Sequence, residues 1–145
     1  MAGKKPQTYA NHTRWDPAFH FFALPVFLLL ALGATVYFIW RPGPHSALMF
    51  VVAVALATVV LKSRLSALRV QDRVIRLEER LRLATLLPEP LRSRIPQLTE
   101  SQLIALRFAS DAEVPKLVER TLNEKLSPAD IKKAIQTWRP DYFRV

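Results

Sequence analysis

The chain has 145 residues, half of them hydrophobic, with no cysteine and a formal net charge of +9. Without cysteine it has no disulfide, thiol nucleophile or thiolate metal site. Residues 62–94 hold nine basic and four acidic side chains, whereas residues 95–145 hold eight and seven. Because nucleic-acid-binding domains carry a clear basic excess, the nearly neutral C-terminal part argues against a nucleic-acid partner.

Two uncharged apolar runs, of 24 and 20 residues, lie on either side of Arg41. About 20 helical residues cross a bilayer core roughly 30 Å thick. We therefore predict transmembrane helices over residues 19–40 and 46–61, joined by an external turn at residues 41–45. A basic side chain at the bilayer centre costs about 2.5–3.5 kcal/mol, so Lys62 is expected at the headgroups, just beyond the second helix.

The basic side chains indicate how these helices are oriented. Positive charge remains on the cytoplasmic side of a membrane, and the predicted external turn carries only Arg41. Both termini, including the juxtamembrane segment at residues 1–18, are therefore predicted to be cytoplasmic, in a multi-pass membrane protein. Lys62, Arg64 and Arg69 follow the second apolar run, where each basic side chain near anionic lipid contributes about 1 kcal/mol. We expect these three side chains to contact lipid headgroups.

No motif for catalysis, a cofactor or a metal occurs in the chain. Neither apolar run has an ionisable residue near its centre, as transport pathways usually do. His20 could serve as a single axial ligand to a haem or other pigment, although an ordinary hydrogen bond is its expected role. Ala53 and Ala57 form a small-xxx-small pair that favours close packing on another helix. We expect no enzymatic activity and no cofactor, and we predict no catalytic, cofactor-binding or metal-binding residue.

Between residues 46 and 87 the chain has neither glycine nor proline. The second apolar helix is therefore predicted to continue into a cytoplasmic, coiled-coil-like stalk helix over residues 62–87. Apolar residues recur along it at spacings of 3, 4, 3, 4 and 3, which is the pattern of a coiled coil. We call this stripe the partner-helix seam, and it comprises Ala67, Val70, Val74, Leu77, Leu81 and Ala84.

Two surfaces could cover the seam. In a parallel pair of stalks, Arg73 of one copy would lie beside Glu78 of the other, in a pattern that favours a dimer. Alternatively, the seam packs on the chain's own C-terminal domain. Along the same helix, Asp72 with Arg76 and Glu78 with Arg82 are predicted to form ion pairs between residues four apart.

Three prolines between residues 88 and 97 end the stalk and predict a stiff linker over residues 88–97. Residues 98–145 are predicted to form a small helical domain with helices at about 100–109, 114–125 and 128–138. Each start carries a capping pattern, formed by Thr99 with Gln102, Ser110 with Glu113, and Ser127 with Asp130. The predicted core comprises Leu103, Leu106, Val114, Leu117, Val118, Leu122, Leu126, Ile131, Ile135 and Trp138.

Several short motifs carry a family resemblance over nearly the whole chain. They are TYANH at residues 8–12, FH at 19–20 with Pro25, QDR at 71–73, EER at 78–80, LT at 98–99 and QLIALRFASD at 102–111. With these motifs the chain resembles an uncharacterised family of small bacterial two-transmembrane membrane proteins, a domain of unknown function. The resemblance implies a two-span layout and a bacterial origin, and it implies no catalytic residues. We therefore expect the chain in a bacterial inner (plasma) membrane.

The predicted architecture is all-α: a two-helix transmembrane hairpin, a stalk that continues the second helix, and a small three-helix C-terminal domain. The expected function is that of a non-enzymatic membrane-anchored adaptor or accessory subunit, with lipids and either a protein partner or further copies of the chain as its contacts. The main alternative is a small oligomeric pore or channel with a cytoplasmic helix bundle. A membrane-tethered transcription regulator is a third hypothesis, which the low charge of the C-terminal domain disfavours.

Overall fold

The computed structural model describes residues 6–11 and 15–141 of the chain. Predictions that fall on residues 1–5, 12–14 and 142–145 lie outside the described residues. Helices dominate, and the described residues contain no strand, so the predicted all-α class is confirmed. In chain order the helices are a π-helical segment Ala18–Ala23, α1 Leu24–Trp40, α2 Pro44–Leu86, a 3₁₀ helix Arg92–Gln97, α3 Glu100–Leu106, α4 Val114–Glu124 and α5 Pro128–Ala134.

The chain divides into two compact units, which we call the hairpin unit and the helical unit. The hairpin unit comprises residues 15–69, and the helical unit comprises residues 70–141 together with residues 6–11. Helix α2 contributes residues to both units and has no break between Pro44 and Leu86. This continuity follows from the absence of glycine and proline after its first residue, where proline is well tolerated.

The first helix of the hairpin unit begins in an unusual form. Its first six residues, Ala18–Ala23, are π-helical, and α-helical geometry follows directly in α1. Pro25 explains the wider first turns, because it has no N–H to donate and its ring would clash with the carbonyl four residues earlier. The wider turn accommodates this proline without ending the helix, which continues to Trp40.

Contacts at both ends hold the two helices of the hairpin unit together. At the connecting turn, the rings of Phe38 and Phe50 stack with their centroids 5.8 Å apart. At the other end, Arg64 pairs with Asp16 at 3.5 Å and lies 5.4 Å from the centroid of the Phe19 ring. These contacts make α1 and α2 antiparallel neighbours.

The turn between α1 and α2 is shorter than predicted. It was expected at residues 41–45, but α2 already begins at Pro44. The hydroxyl of Ser46, only 2% exposed, donates to the carbonyl of Arg41 at 2.6 Å and lies 3.0 Å from that of Gly43. This side chain satisfies the Arg41 carbonyl, which the end of α1 leaves without a helical partner, and the contact allows the tighter connection.

Two of the three predicted capping patterns are confirmed. Thr99 and Gln102 form a reciprocal capping box at α3, and Ser127 accepts from the backbone N–H of Asp130 at α5. The third prediction is wrong, because Ser110 does not cap α4 with its side chain. The Glu113 carboxylate instead accepts the backbone N–H groups of residues 136 and 137, at 3.3 and 2.8 Å.

Helices α3 and α5 end earlier than predicted, at Leu106 and Ala134. The residues that follow them pair with each other in an isolated antiparallel bridge between Ala109 and Trp138. The flanking hydrogen bonds run from Ser110 N–H to the Thr137 carbonyl at 3.1 Å and from Arg139 N–H to the Phe108 carbonyl at 2.7 Å. A non-local pairing thus replaces the last helical turns.

The predicted linker at residues 88–97 is also different from expectation. It contains the 3₁₀ helix Arg92–Gln97, and Ile95 within it is buried. Leu91 packs against the same core. The segment between α2 and α3 is therefore part of the folded helical unit rather than a spacer.

One hydrophobic core organises the helical unit. Seven of the ten predicted core residues are buried in it, and the other three, Leu122, Leu126 and Trp138, pack against it at partial exposure. Leu83 of α2 and Leu87, the residue directly after this helix, also belong to the core and are 0% and 1% exposed. The full cluster comprises Leu83, Leu87, Ile95, Leu98, Leu103, Ala105, Leu106, Phe108, Ala109, Val114, Leu117, Val118, Ile131 and Ile135.

Leu83→Ala tests whether α2 belongs to this core. Removing the buried side chain should lower the free energy of unfolding by about 2–5 kcal/mol. The measurement is denaturant unfolding of the full chain in mild detergent, followed by tryptophan fluorescence in a Trp15→Phe, Trp40→Phe background that leaves Trp138 as the reporter. Arg80→Ala, an exposed change on the same helix, should shift stability by less than about 0.5 kcal/mol. Equal effects of the two changes would contradict a core role for Leu83.

Candidate interaction surface on helix α2

One face of α2 packs on the rest of the helical unit. Ile75, Glu79 and Leu83 on this face are 8%, 2% and 0% exposed. Asp72 and Arg82 lie at partial exposure beside them. These five residues, which we call the covered stripe, are three or four positions apart and therefore share one side of the helix.

Two charged groups of the covered stripe, Glu79 and Arg82, are paired with each other, and Arg82 also binds residues beyond α3. The Arg82 guanidinium donates to Glu79 Oε1 at 3.0 Å, to Asp111 Oδ1 at 2.6 and 2.8 Å, and to the Ala109 carbonyl at 2.7 Å. Its side chain is only 12% exposed, and that of Glu79 only 3%. Because hydrogen bonds to charged groups are the strong ones, this network fixes the loop after α3 onto α2.

Arg76 and Arg82 have partners other than the acidic residues predicted to pair with them along the helix. Arg76 pairs with Glu100 of α3 and donates to the backbone carbonyl of Asp72, not to its carboxylate. Arg82 pairs with Glu79 and with Asp111 instead of with Glu78. Tertiary partners prevail because an exposed pair along a helix contributes only about 0.3–0.5 kcal/mol.

Burial perturbs the carboxyl group at the centre of this network. The pKa of Glu79 is raised above its ordinary value, chiefly because burial disfavours the charged form. The positive charges of Arg82 and Arg139 act in the opposite direction, whereas the nearby Asp111 adds to the increase. The structure thus holds a desolvated carboxylate against two cations.

The partner-helix seam lies on the other side of α2. Val70, Val74, Leu77 and Leu81 are 61%, 49%, 60% and 62% exposed. Ala84 is also exposed, and Ala67, which belongs to the hairpin unit, is half-buried. The four large side chains form an open apolar stripe on a helix whose opposite face is covered.

The angle between the two stripes follows from the spacing. Leu77 comes two positions after Ile75, and Leu81 two positions after Glu79. Two residues correspond to about 200° on an α-helix, so the seam faces away from the covered stripe. The chain's own C-terminal helices, one of the two surfaces considered for the seam, therefore do not cover it.

The flanks of the seam carry opposite charges. Arg73 and Glu78 are both exposed, and neither forms an ion pair with any other residue in the described part of the chain. Both are therefore available to charges on a second helix that approaches the seam.

The small residues predicted to pack in the membrane lie between the helices of the hairpin unit. Ala57 is buried, at 9% exposure, and Ala53 is half-buried. Ala53 also lines an apolar groove of about 680 Å³ between α1 and α2. Its lining further includes Phe27, Leu30, Gly33, Tyr37, Met49, Val52 and Leu56.

The three basic residues predicted to contact headgroups do not share one environment. Lys62 and Arg69 are exposed, and headgroup contact stays a prediction for them. Arg64 is different, because its side chain is 11% exposed and is committed to Asp16 and the Phe19 ring. This arginine joins the two ends of the hairpin rather than projecting freely.

His20 takes part in local contacts. Its Nδ1 lies 2.9 Å from the backbone carbonyl oxygen of Asp16, and its ring meets those of Trp15 and Phe19 edge-on at 5.1 Å. The described residues contain no group of three or more histidine, cysteine or acidic side chains that could hold a metal ion.

A family comparison bears on the whole chain. Residues 1–145 match a family described as "Family of unknown function (DUF6526)". The chain belongs to this family. No curated protein and no solved structure matches it. Two of the motifs that indicated the resemblance, at residues 78–80 and 102–111, contain Glu79, Ala109 and Asp111, which meet around Arg82.

The covered stripe is the part of this surface that sequence reasoning missed. Residues 72, 75, 79 and 82 repeat at spacings of 3, 4 and 3, and Leu83 follows four positions after Glu79, so the spacing is similar to that of the seam. Three of them are charged, so they did not register as an apolar stripe. A signal was nevertheless present: an isoleucine and a leucine lie on the same side of the helix as these charged residues. Charged side chains on a side that also carries apolar residues need tertiary partners if that side is buried.

Glu79→Gln tests the buried carboxyl. Since the native state holds the proton more tightly than the unfolded chain, the free energy of unfolding should fall as pH rises from about 4.5 through the native pKa. The variant lacks this contribution, so its stability relative to the parent should increase over the same range, in the fluorescence assay above. Glu119→Gln, exposed on α4, serves as the control and should follow the parent. A relative stability that decreases with pH would mean that Arg82 outweighs burial.

Proposed function

We propose that the chain is a membrane-anchored adaptor or accessory subunit without enzymatic activity, which engages a protein partner at the cytoplasmic face of a bacterial membrane. The partner-helix seam is the surface proposed to make that contact.

The two long helices support the anchor. Both the helix Ala18–Trp40 and the helix Pro44–Leu86 are long and apolar enough to cross a membrane. In their most apolar windows, 0% and 6% of the residues are buried, which differs from the core helices of a soluble protein. Leaving so many leucine, valine and phenylalanine side chains in water would be unfavourable, and a lipid environment removes that cost.

Charge supports the orientation. The short turn between the helices contains a single charged residue, Arg41, whereas Lys62, Arg64 and Arg69 follow the apolar part of α2. By the positive-inside rule, the turn is external and the helical unit is cytoplasmic. The pairing of Arg64 with Asp16 supports a hairpin whose two outer ends lie on the same side of the membrane.

The main support for a protein interaction is that four large apolar side chains along one side of α2 are exposed. Single exposed hydrophobic residues are ordinary, but a contiguous apolar surface marks an interaction site. On α2, Val70, Val74, Leu77 and Leu81 form such a stripe, and they are about half exposed or more. The stripe is narrow and bordered by charge, which suits a partner helix.

Affinity purification of the tagged chain from native bacterial membranes tests the interaction. Leu77→Glu places a charge in the middle of the seam and should abolish recovery of a partner that co-purifies with the parent chain. Lys116→Glu, an exposed change on α4, should leave recovery unchanged. Mass spectrometry identifies the partner, which can include other copies of the chain. Recovery of bare monomer in every mild detergent would contradict an adaptor role.

Single-cysteine labelling tests the orientation, because the natural chain has no cysteine. Gly43→Cys in the turn should react with a membrane-impermeant maleimide in intact spheroplasts. Glu119→Cys on α4 should react only after the membrane is opened. Labelling of the second variant in intact spheroplasts would contradict a cytoplasmic helical unit.

A further inference from the structure

We infer that the partner-helix seam pairs with the same seam of a second copy of this chain, in a parallel and in-register two-helix coiled coil. This inference rests on the proposed membrane anchor and names the partner of the proposed interaction. It deepens the adaptor function, because each assembled unit would then present two helical units.

The first argument is that the seam is left open while the rest of the helix is used. Leu83 lies in the chain's own core, Ile75 is buried, and the charges of Glu79 and Arg82 are paired within the helical unit. The seam residues are about 200° away from them on the helix. A second helix can approach at the usual 8–10 Å without displacing any contact of the helical unit.

The second argument is the register of charge. With Val74 and Leu77 at the core positions a and d, Arg73 and Glu78 occupy the flanking positions g and e. In a parallel in-register pair, position g of one helix meets position e of the other. Arg73 therefore meets the opposite charge of Glu78 on each side of the interface, and both side chains are exposed and ready to pair.

An antiparallel pair would make poorer contacts. There, g positions meet g positions and e positions meet e positions. The g positions of this helix include Arg73 and Arg80, so like charges would lie side by side, which is unfavourable. Charge thus selects the parallel arrangement.

The third argument is geometric confinement by the membrane. Two anchored copies with the same orientation can meet only with their helices parallel. A seam of about three heptads is marginal for free helices in water, but tethering both copies to one bilayer raises their effective concentration. The residue choice, valine at a and leucine at d in the central layer, also favours two strands.

Disulfide cross-linking in native membranes tests the inference directly. Leu77→Cys in the otherwise cysteine-free chain should give a disulfide-linked dimer on mild oxidation, because facing d positions lie within the Cα separation of about 7 Å that a disulfide tolerates. Glu119→Cys, exposed on α4 and outside the seam, is the matched control and should remain monomeric under the same oxidation. Equal cross-linking of both variants would reflect random collision and overturn the inference.

Mixed cross-linking tests the direction of the helices. Two copies with different tags, one with Val74→Cys and one with Leu81→Cys, are produced together. In a parallel in-register pair these positions are about 10 Å apart along the helix, so only like-with-like disulfides should form. A mixed disulfide as the main product would show that equivalent positions do not face each other, and it would overturn the parallel in-register pair.

Charge exchange tests the pairing of Arg73 with Glu78. Arg73→Glu should weaken dimerisation by about tenfold, because each attraction becomes a repulsion. The double change Arg73→Glu with Glu78→Arg should restore it, since the signs are then opposite again. Failure of the double change to restore dimerisation would overturn the assigned register.

The outcomes separate this inference from the proposed function. If Leu77→Cys gives no dimer while Leu77→Glu still abolishes recovery of a different protein, the seam serves another partner and only the inference fails. If no protein of any kind depends on Leu77, both fail. If the labelling experiment places the helical unit outside the cytoplasm, the proposed function fails, whereas a cross-linked parallel dimer would stand.

Discussion

The contact of the Arg82 guanidinium with Asp111 and the Ala109 carbonyl determines which face of α2 remains open. Two stripes of this helix have the same three-and-four spacing, and the purely apolar seam would gain more from simple burial. The covered stripe is buried instead because its Leu83 enters the core while Arg82 and Glu79 find specific partners. Docking through the seam would leave the Asp111 carboxylate without this arginine.

The network around Arg82 determines which face of α2 packs on the helical unit more than it adds to the net stability of the fold. A buried ion pair gains little over apolar residues of the same volume, but a buried charge that loses its partner costs several kcal/mol. Glu79 pays part of this cost, as the raised pKa of its carboxyl indicates. The charges therefore penalise every rotation of α2 in which they do not meet Asp111, and the apolar seam is kept for a partner.

Local patterns allowed much of this fold to be predicted, and long-range contacts account for the rest. The helix starts at Glu100 and Pro128 were predicted because Thr99 and Ser127 act through residues three positions away. The early ends of α3 and α5 depend on pairing between residues 109 and 138, which no local signal encodes. At the candidate site, the spacing of apolar residues indicated the seam, but it did not indicate which face of α2 packs on the chain's own C-terminal helices.

The same reasoning explains why the seam contains no polar residue. A buried asparagine or lysine often sets register in coiled coils at a cost in stability, and a stripe of only about three heptads has little stability to lose. Here direction can be set by the membrane, and register by the exposed charges Arg73 and Glu78, which flank the seam and are not desolvated by it. A short helix pair whose copies are already confined to one bilayer is expected to have this arrangement: an apolar stripe for contact and flanking charges that set the register.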